Sequence, residues 1–446
     1  MTAGKITRYL LVGSGAASIA ALEAIHGRDS SAEVTMLTDD PFGYYTRPGL
    51  AYYLSGEIPE DMLFPFRKED FQRLNVRRIQ AQVVLIHPDE HLVELQNRTR
   101  LPYDRLLVAT GAQATRASVP GADLPEVVKL DSLEDVRQII KIARKARTAV
   151  VIGGGITALE LVEGLLRRKV KVHYFLRGDR YWGNVLDEKE SRIVEKRLAH
   201  HGVQIHFNTE MEEIVGARNH VKGVRTKTGK VIACDMVAIA IGIRPRKELA
   251  EKSGLNVDRG ILVNEYLQTS SPDIFAAGDV AQVYDPFLGK SVLDSLWGPA
   301  RDQGKTAGLN MTGERLAYHK VIPFNVTRLA DLTTTIIGKV GGGDDHDLLG
   351  SAQDIPGIAR GDSETWRQLP DAIAAQADFE VNRLRILIED NQLIGAIVMG
   401  DQTLSHALQH IILEKMDISV IRENLIRPGA HIADSIARYW KEQQPV

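Results

Sequence analysis

Two glycine-rich turns, each set between an apolar run and a helix-forming stretch, constrain this chain more than any other feature. Tyr9-Leu10-Leu11-Val12 leads into Gly13-Ser14-Gly15-Ala16-Ala17-Ser18 and then an apolar stretch of helical character over 19–25. Thr148-Ala149-Val150-Val151-Ile152 leads into Gly153-Gly154-Gly155-Ile156-Thr157-Ala158-Leu159-Glu160, 140 residues further on. Continuous apolar runs suit parallel strands buried on both faces. In such a turn the first glycine makes the tight bend. The second lets the backbone approach a diphosphate, whose charge then lies against the helix amino terminus. Ser18 stands where a third glycine is usual, and a residue this small still lets helix and strand pack closely. A single turn of this kind is a weak sign. Two in one chain point to two bound dinucleotides and an α/β fold on parallel sheets.

The strand after each turn refines this reading. The strand expected over 33–37 ends in Thr38-Asp39-Asp40, and an acid there can accept hydrogen bonds from ribose hydroxyls. Asp39 is assigned that role, with Asp40 close behind. The strand expected over 170–176 instead ends in Leu176, followed by Arg177-Gly178-Asp179-Arg180. Arg177 and Arg180 could hold a ribose 2′-phosphate, which favours NADPH; basic residues at this turn also occur with NADH, so both stay open.

Bulk composition excludes several classes. The 446 residues allow two to four domains, and 44% hydrophobic with 25% charged is ordinary globular usage. A net charge of −3 gives no reason to expect nucleic acid or an anionic membrane as partner. No run reaches the roughly 18 apolar residues that span a bilayer. The first 27 residues carry Lys5 and Arg8 before a small apolar stretch, as a signal peptide would; Gly13, Gly15 and Glu23 fit a strand, turn and helix better. With Cys234 as the one cysteine, a disulfide framework is excluded and a cytoplasmic location is expected.

Two further segments complete an order. Arg105-Leu106-Leu107-Val108-Ala109-Thr110-Gly111-Ala112 is an apolar strand ending in a small-residue turn. Ser271-Pro272-Asp273-Ile274-Phe275-Ala276-Ala277-Gly278-Asp279-Val280 reads as a short strand ending in Gly-Asp before a helix. With these four motifs in order, the chain resembles the FAD-dependent pyridine nucleotide–disulfide oxidoreductase superfamily. It looks most like the branch without redox cysteines, the NADH–rubredoxin and ferredoxin reductases and the flavoprotein part of nitrite reductases.

The resemblance implies two Rossmann-like domains of glutathione-reductase type plus an α+β C-terminal interface domain. The FAD domain would be discontinuous, 1–115 and 244–322, with an NAD(P) domain over 116–243 and the interface domain over 323–446. It implies that Gly13, Gly15 and Ala16 hold the FAD diphosphate and that Val83 meets the adenine through its backbone. Ala109, Thr110 and Gly111 would line the FAD path, and Gly278 and Asp279 would meet the ribityl chain. Leu296 and Trp297, in Asp294-Ser295-Leu296-Trp297-Gly298-Pro299-Ala300, would lie near the flavin ring. Arg47 and Pro48 correspond to a basic-Pro element beside the flavin and diphosphate. Gly153, Gly155 and Ile156 would hold NAD(P)H, Glu160 would sit beside the nicotinamide, and Gly242 would mark the hinge back in Ile241-Gly242-Ile243-Arg244-Pro245. One departure is plain: many relatives carry arginine just before Ser132-Leu133-Glu134-Asp135, where this chain has Asp131. Either another base serves the diphosphate, with Arg116 a candidate, or FAD is held more loosely.

Arg47-Pro48-Gly49-Leu50 settles one chemical question. In the water-forming NADH oxidases and coenzyme A–disulfide reductases a redox cysteine precedes Gly-Leu, and proline can form neither a thiolate nor a sulfenic acid. Cys234 reads as a structural thiol. Electrons would then leave directly from the flavin, with Arg47 stabilising its charge. The leading acceptor is a small iron–sulfur protein of rubredoxin or ferredoxin type. A quinone or small molecule is the alternative, and a third reading is an NAD(P)H sensor similar to the apoptosis-inducing-factor flavoproteins; on each reading the interface domain allows a homodimer.

In the last third, Arg383-Leu384-Arg385-Ile386-Leu387-Ile388 and residues 393–399 read as a hairpin turning at Glu389-Asp390-Asn391-Gln392, followed by a helix over 404–415. An inserted loop is expected at about 341–377, with its Asp344-Asp345-His346-Asp347 run read as surface and not as a metal cluster. His406 and His410 share a helix face, but no third ligand supports a metal there.

Overall fold

The computed structural model describes residues 7–286, 289–340, 382–427 and 431–443. The expected insertion at 341–377 lies outside them. The chain divides into two compact units, Met1–Thr115 with Lys129–Ile139 and Gly242–Lys320, and Arg116–Val128 with Ile140–Ile241 and Val321–Val446.

The first unit is built on a five-stranded parallel sheet. Its strand order is Ile274–Ala276, Arg105–Val108, Arg8–Val12, Glu33–Thr38, Val76–Gln80. Leu10 pairs with Thr35 on one side and Leu106 on the other, which places Arg8–Val12 in the interior. That is why its apolar run does not alternate: Leu10, Leu11 and Val12 are all buried. Helix Ala16–Arg28 follows the turn and packs on helix Trp297–Met311. The approach is backbone to backbone. A Cβ on Gly304 would stand 2.1 Å from the Ala17 carbonyl oxygen, and one on Gly308 2.6 Å from that of Ala21. The sequence reading placed a helix directly after Gly278-Asp279. The structure has a strand there, Ala281–Asp285, paired antiparallel with Lys290–Leu293. Helix Trp297–Met311 follows only after that hairpin.

Beneath the hairpin is a buried ion triad. Lys320 Nζ lies 3.3 Å from Asp285 Oδ2 and 3.6 Å from Asp294 Oδ2, with all three side chains less than a tenth exposed. Burial pushes the Asp294 carboxyl above its ordinary value, against the pull of Lys320. Removing one member of such a cluster strands the others as uncompensated buried charge. Lys320→Met is therefore expected to destabilise the first unit by about 3–5 kcal/mol, read as a lowered denaturant midpoint; an unchanged midpoint would refute it.

The second unit repeats the parallel plan, with strand order Gln204–His206, Lys171–Phe175, Thr148–Ile152, Met236–Ile239, Val127–Val128. Thr148–Ile152 is again interior, its Val150 pairing with His173 and Val237. The strands from Phe324 onward belong to the same unit. They form a four-stranded antiparallel sheet, ordered Phe324–Leu329, Leu332–Gly338, Gln392–Met399, Arg383–Glu389. The hairpin turns where expected, with Glu389 paired to Gln392. Helices Ser405–Leu413, Ser419–Ile426 and Ile432–Gln443 follow. Arg385 and Arg383 clamp this sheet to the amino end of helix Glu188–His200. Arg385 Nε lies 2.9 Å from Glu190 Oε1, and Arg383 pairs with Asp187. His406 and His410 flank Trp440, with ring centroids 6.1 and 5.1 Å away.

Among the described residues no helix is long and apolar enough to cross a membrane.

Candidate nucleotide sites

In each unit the first glycine of the turn is fixed by packing and the second faces space. Gly13 has φ +116°, and a Cβ there would stand 2.1 Å from the Ala109 carbonyl oxygen on the neighbouring strand. Gly15 is the N-cap of helix Ala16–Arg28, and a Cβ on it would meet only Arg47 Nη1, at 3.8 Å. Gly153 has φ +145° and the same relation to the Ala240 carbonyl oxygen, again at 2.1 Å. A Cβ on Gly154 or Gly155 would meet nothing within 4 Å. Gly155 caps helix Ile156–Arg167 as Gly15 caps its counterpart. Each helix amino terminus thus presents uncapped backbone N–H groups toward open space, the arrangement a dinucleotide diphosphate requires.

Around the first turn the acids and bases separate into distinct tasks. Ser14 Oγ lies 3.1 Å from both Thr38 Oγ1 and the Gly43 carbonyl, tying the turn to the end of the next strand. Asp39 is exposed at that strand's carboxyl end. Asp40 accepts from the Phe42 amide at 2.9 Å and from the Tyr45 hydroxyl at 3.0 Å, and lies 3.7 Å from Arg47 Nη2. The Tyr45 hydroxyl in turn accepts from the Leu133 amide at 3.2 Å. Arg47 stands over the Tyr45 ring, 5.1 Å from its centroid. Desolvation opposes the Arg47 charge, but Tyr45, Asp40, Asp131 and Asp279 outweigh it and hold the guanidinium above its ordinary value. Arg47 is a firmly held cation beside the turn. Pro48 caps the short helix Gly49–Ser55 that follows it.

The remaining first-unit residues fall on connecting turns. Val83 opens a strand, paired with Leu95. Ala109, Thr110 and Gly111 follow strand Arg105–Val108, with Gly111 at φ +69° and open space beyond it. Gly278, at φ +79°, donates its N–H to buried Gln303 Oε1 at 2.8 Å, with Asp279 next to it. Leu296 and Trp297 stand at the start of helix Trp297–Met311, with Arg301 over the Trp297 ring at 5.1 Å. Gln303 was missed by the sequence reading. Its only sequence cue is its place in a helix of small residues, Gly304, Ala307 and Gly308.

In the second unit Glu160 stands half-buried on helix Ile156–Arg167, one turn beyond Ile156. Leu176 is buried, and its N–H donates to the His206 carbonyl at 2.9 Å. The strand end is therefore closed by backbone and apolar contact, and no acid occupies it. Arg177 is exposed, while Arg180 is largely enclosed, with Nη1 3.6 Å from Asp179 Oδ1. Gly242, at φ +112°, begins the first unit's return segment, in which strand Ile243–Pro245 pairs with Ala112–Ala114.

Cys234 lies in the second unit's apolar core, where burial pushes its thiol up to about 12. The reactive species is the thiolate. Native protein is therefore expected to resist maleimide and to react fully only when unfolded. Prompt native labelling would show that the thiol is accessible.

Two parallel-sheet units, each with its own glycine turn at a helix amino terminus, are the frame of a two-nucleotide α/β oxidoreductase. The comparisons agree on the particular family: the chain belongs to the pyridine nucleotide-disulphide oxidoreductases, whose model matches residues 7–304. It is 28% identical over 426 residues to an NADH oxidase of Methanocaldococcus jannaschii, covering 93% of this chain and 91% of that one. It is 32% identical to the rhodocoxin reductase of Rhodococcus erythropolis, covering 77% and 80%. Its fold is shared with the reductase in a covalent putidaredoxin reductase–putidaredoxin complex, at a TM-score of 0.81, 20% identity and 97% and 98% coverage. The protein is an FAD-dependent NAD(P)H oxidoreductase.

Proposed function

We infer that this oxidoreductase passes electrons from NAD(P)H through FAD directly to an external acceptor, a small iron–sulfur protein of rubredoxin or ferredoxin type. The observation that carries the reading is the missing thiol relay. Pro48 precedes Gly49-Leu50, and the chain's one cysteine is buried with its thiol held neutral. The relative named rhodocoxin reductase supports a protein acceptor.

Bound FAD supplies the redox chemistry, taking a hydride and releasing its electrons singly or in a pair. The chain supplies position and charge. Gly13, Gly15 and Ala16 cradle the diphosphate, Asp39 reaches the ribose, and Val83 borders the adenine. Ala109, Thr110, Gly111, Gly278 and Asp279 line the path to the ring, near Leu296, Trp297 and Pro48. Arg47, held by Asp40 and Tyr45, stabilises negative charge beside the turn. Gly153, Gly155 and Ile156 hold the second diphosphate, and Glu160 orients the nicotinamide. With Leu176 in the acid's place, Arg177 and Arg180 lean the preference to NADPH; one charge-assisted hydrogen bond to a 2′-phosphate gives about tenfold to over a hundredfold in affinity.

The test is anaerobic stopped-flow absorbance of FAD-loaded protein against NADH and NADPH, then mixing of the reduced protein with rubredoxin, ferredoxin or a quinone. Fast bleaching by a nucleotide followed by fast reoxidation by an iron–sulfur protein is expected. Faster reoxidation by the quinone would replace the acceptor. Slow reoxidation by everything offered would favour the sensor reading, and no bleaching would sink the hydride path.

A further inference from the structure

Asp131 stands where the resemblance leads one to expect arginine, and the structure shows what that acid does. It is buried, it accepts from the Ala114 amide at 3.2 Å, and it pairs with Lys129 Nζ at 3.2 Å. Lys129 is shared with Asp135 at 3.0 Å, so its charge is already matched within this cluster. Arg246 is different. Its Nη2 lies 4.0 Å from Asp131 Oδ2, and its buried Nε donates to no atom among the described residues. The neighbouring basic residue, Arg244, faces Gln113, whose amide oxygen can accept from its Nε at 3.1 Å and Nη2 at 3.0 Å.

The backbone of Arg246 is fastened to the turn beyond strand Arg105–Val108. Its N–H donates to the Gly111 carbonyl at 2.9 Å, and its carbonyl accepts from Thr110 Oγ1 at 2.9 Å. Asp131 also lies within electrostatic reach of Arg47, whose Nη1 borders the Gly15 turn. One buried carboxylate thus lies beside the Arg246 guanidinium and within electrostatic reach of Arg47, and Arg246 keeps a donor unspent. A buried guanidinium donor without a partner is costly, and an anion would satisfy it.

We propose that Arg246, anchored by the Thr110-Gly111 turn and facing Asp131, is a second cation for the FAD diphosphate. The charge comes from the return segment, and Asp131 faces it. The proposal rests on placing the FAD diphosphate at Gly13–Ala16.

The experiment measures FAD dissociation from the holoprotein by flavin fluorescence over a range of NaCl, with ADP as competitor. Wild type is compared with Arg246→Gln, Arg246→Lys and Gly15→Val. Arg246→Gln is expected to weaken FAD by about tenfold to over a hundredfold, to flatten its salt dependence, and to weaken ADP in parallel. Arg246→Lys, which keeps the charge but loses the planar fork, is expected to fall between. Unchanged FAD and ADP affinity in Arg246→Gln would overturn the proposal. So would a shift in flavin midpoint potential with both affinities intact, which would place the guanidinium at the ring. If Gly15→Val kept full FAD affinity, the diphosphate placement itself would fall, whatever Arg246 did.

Discussion

Replacing Gly13 with alanine is expected to give a colourless protein that retains no FAD. The added Cβ would stand 2.1 Å from the Ala109 carbonyl oxygen, in a backbone conformation at φ +116° that side chains rarely adopt. That conformation alone costs about 1–3 kcal/mol for a non-glycine residue. Overpacking adds a comparable amount, since Ala109 is fixed in the parallel sheet through its N–H to the Val12 carbonyl. The strand and helix must therefore part, and the amides that would meet the diphosphate move with them. Absorbance of the purified variant, before and after incubation with excess FAD, reads the result. A variant that stayed yellow with wild-type affinity would refute the assignment of this turn to FAD.

The second large effect separates the two nucleotides. Gly153→Ala places a Cβ 2.1 Å from the Ala240 carbonyl oxygen and 3.0 Å from the Ala158 Cβ, at φ +145°. All of these atoms lie in the second compact unit. The variant should keep its flavin and its yellow colour yet lose rapid bleaching by both NADH and NADPH. Dithionite should still reduce it fully, showing that the flavin itself is intact. Loss of FAD in Gly153→Ala, or unimpaired reduction by a nucleotide, would show that the division of labour between the turns is wrong. Together the pair tests the reading with two opposite phenotypes.

Much of the scaffold was legible because its signals are local. Residues 9–12 and 148–152 are unbroken apolar runs, and only interior parallel strands need that. The C-terminal hairpin was legible for the same reason, since Glu389-Asp390-Asn391-Gln392 stands between an alternating run and an apolar one. The segment after Gly278-Asp279 was misread because a glycine turn at a strand end commonly opens a helix. Here Ala281–Asp285 instead pairs with Lys290–Leu293 over buried Lys320, a partner some thirty residues away that no local pattern announces. The partners of Arg47 were hidden in the same way. Asp40 could be seen as a neighbour in sequence, whereas the contribution of Asp131 depends on folding. Gln303 and Arg246 carry no motif at all, and only the fold brings one to Gly278 and the other to Thr110.

The close seating of helix Trp297–Met311 on helix Ala16–Arg28 bears on how the protein is made. Gly304 and Gly308 meet Ala17 and Ala21 with no side chain between, and Gln303 holds Gly278, so the first nucleotide turn is buttressed by chain synthesised nearly three hundred residues later. Contacts of such long range are slow to form, and domains assemble as their parts emerge. The Gly13–Gly15 turn is thus among the last parts of its unit to gain its packing partners. The helical support of that turn is complete only once residues 303–308 have been made.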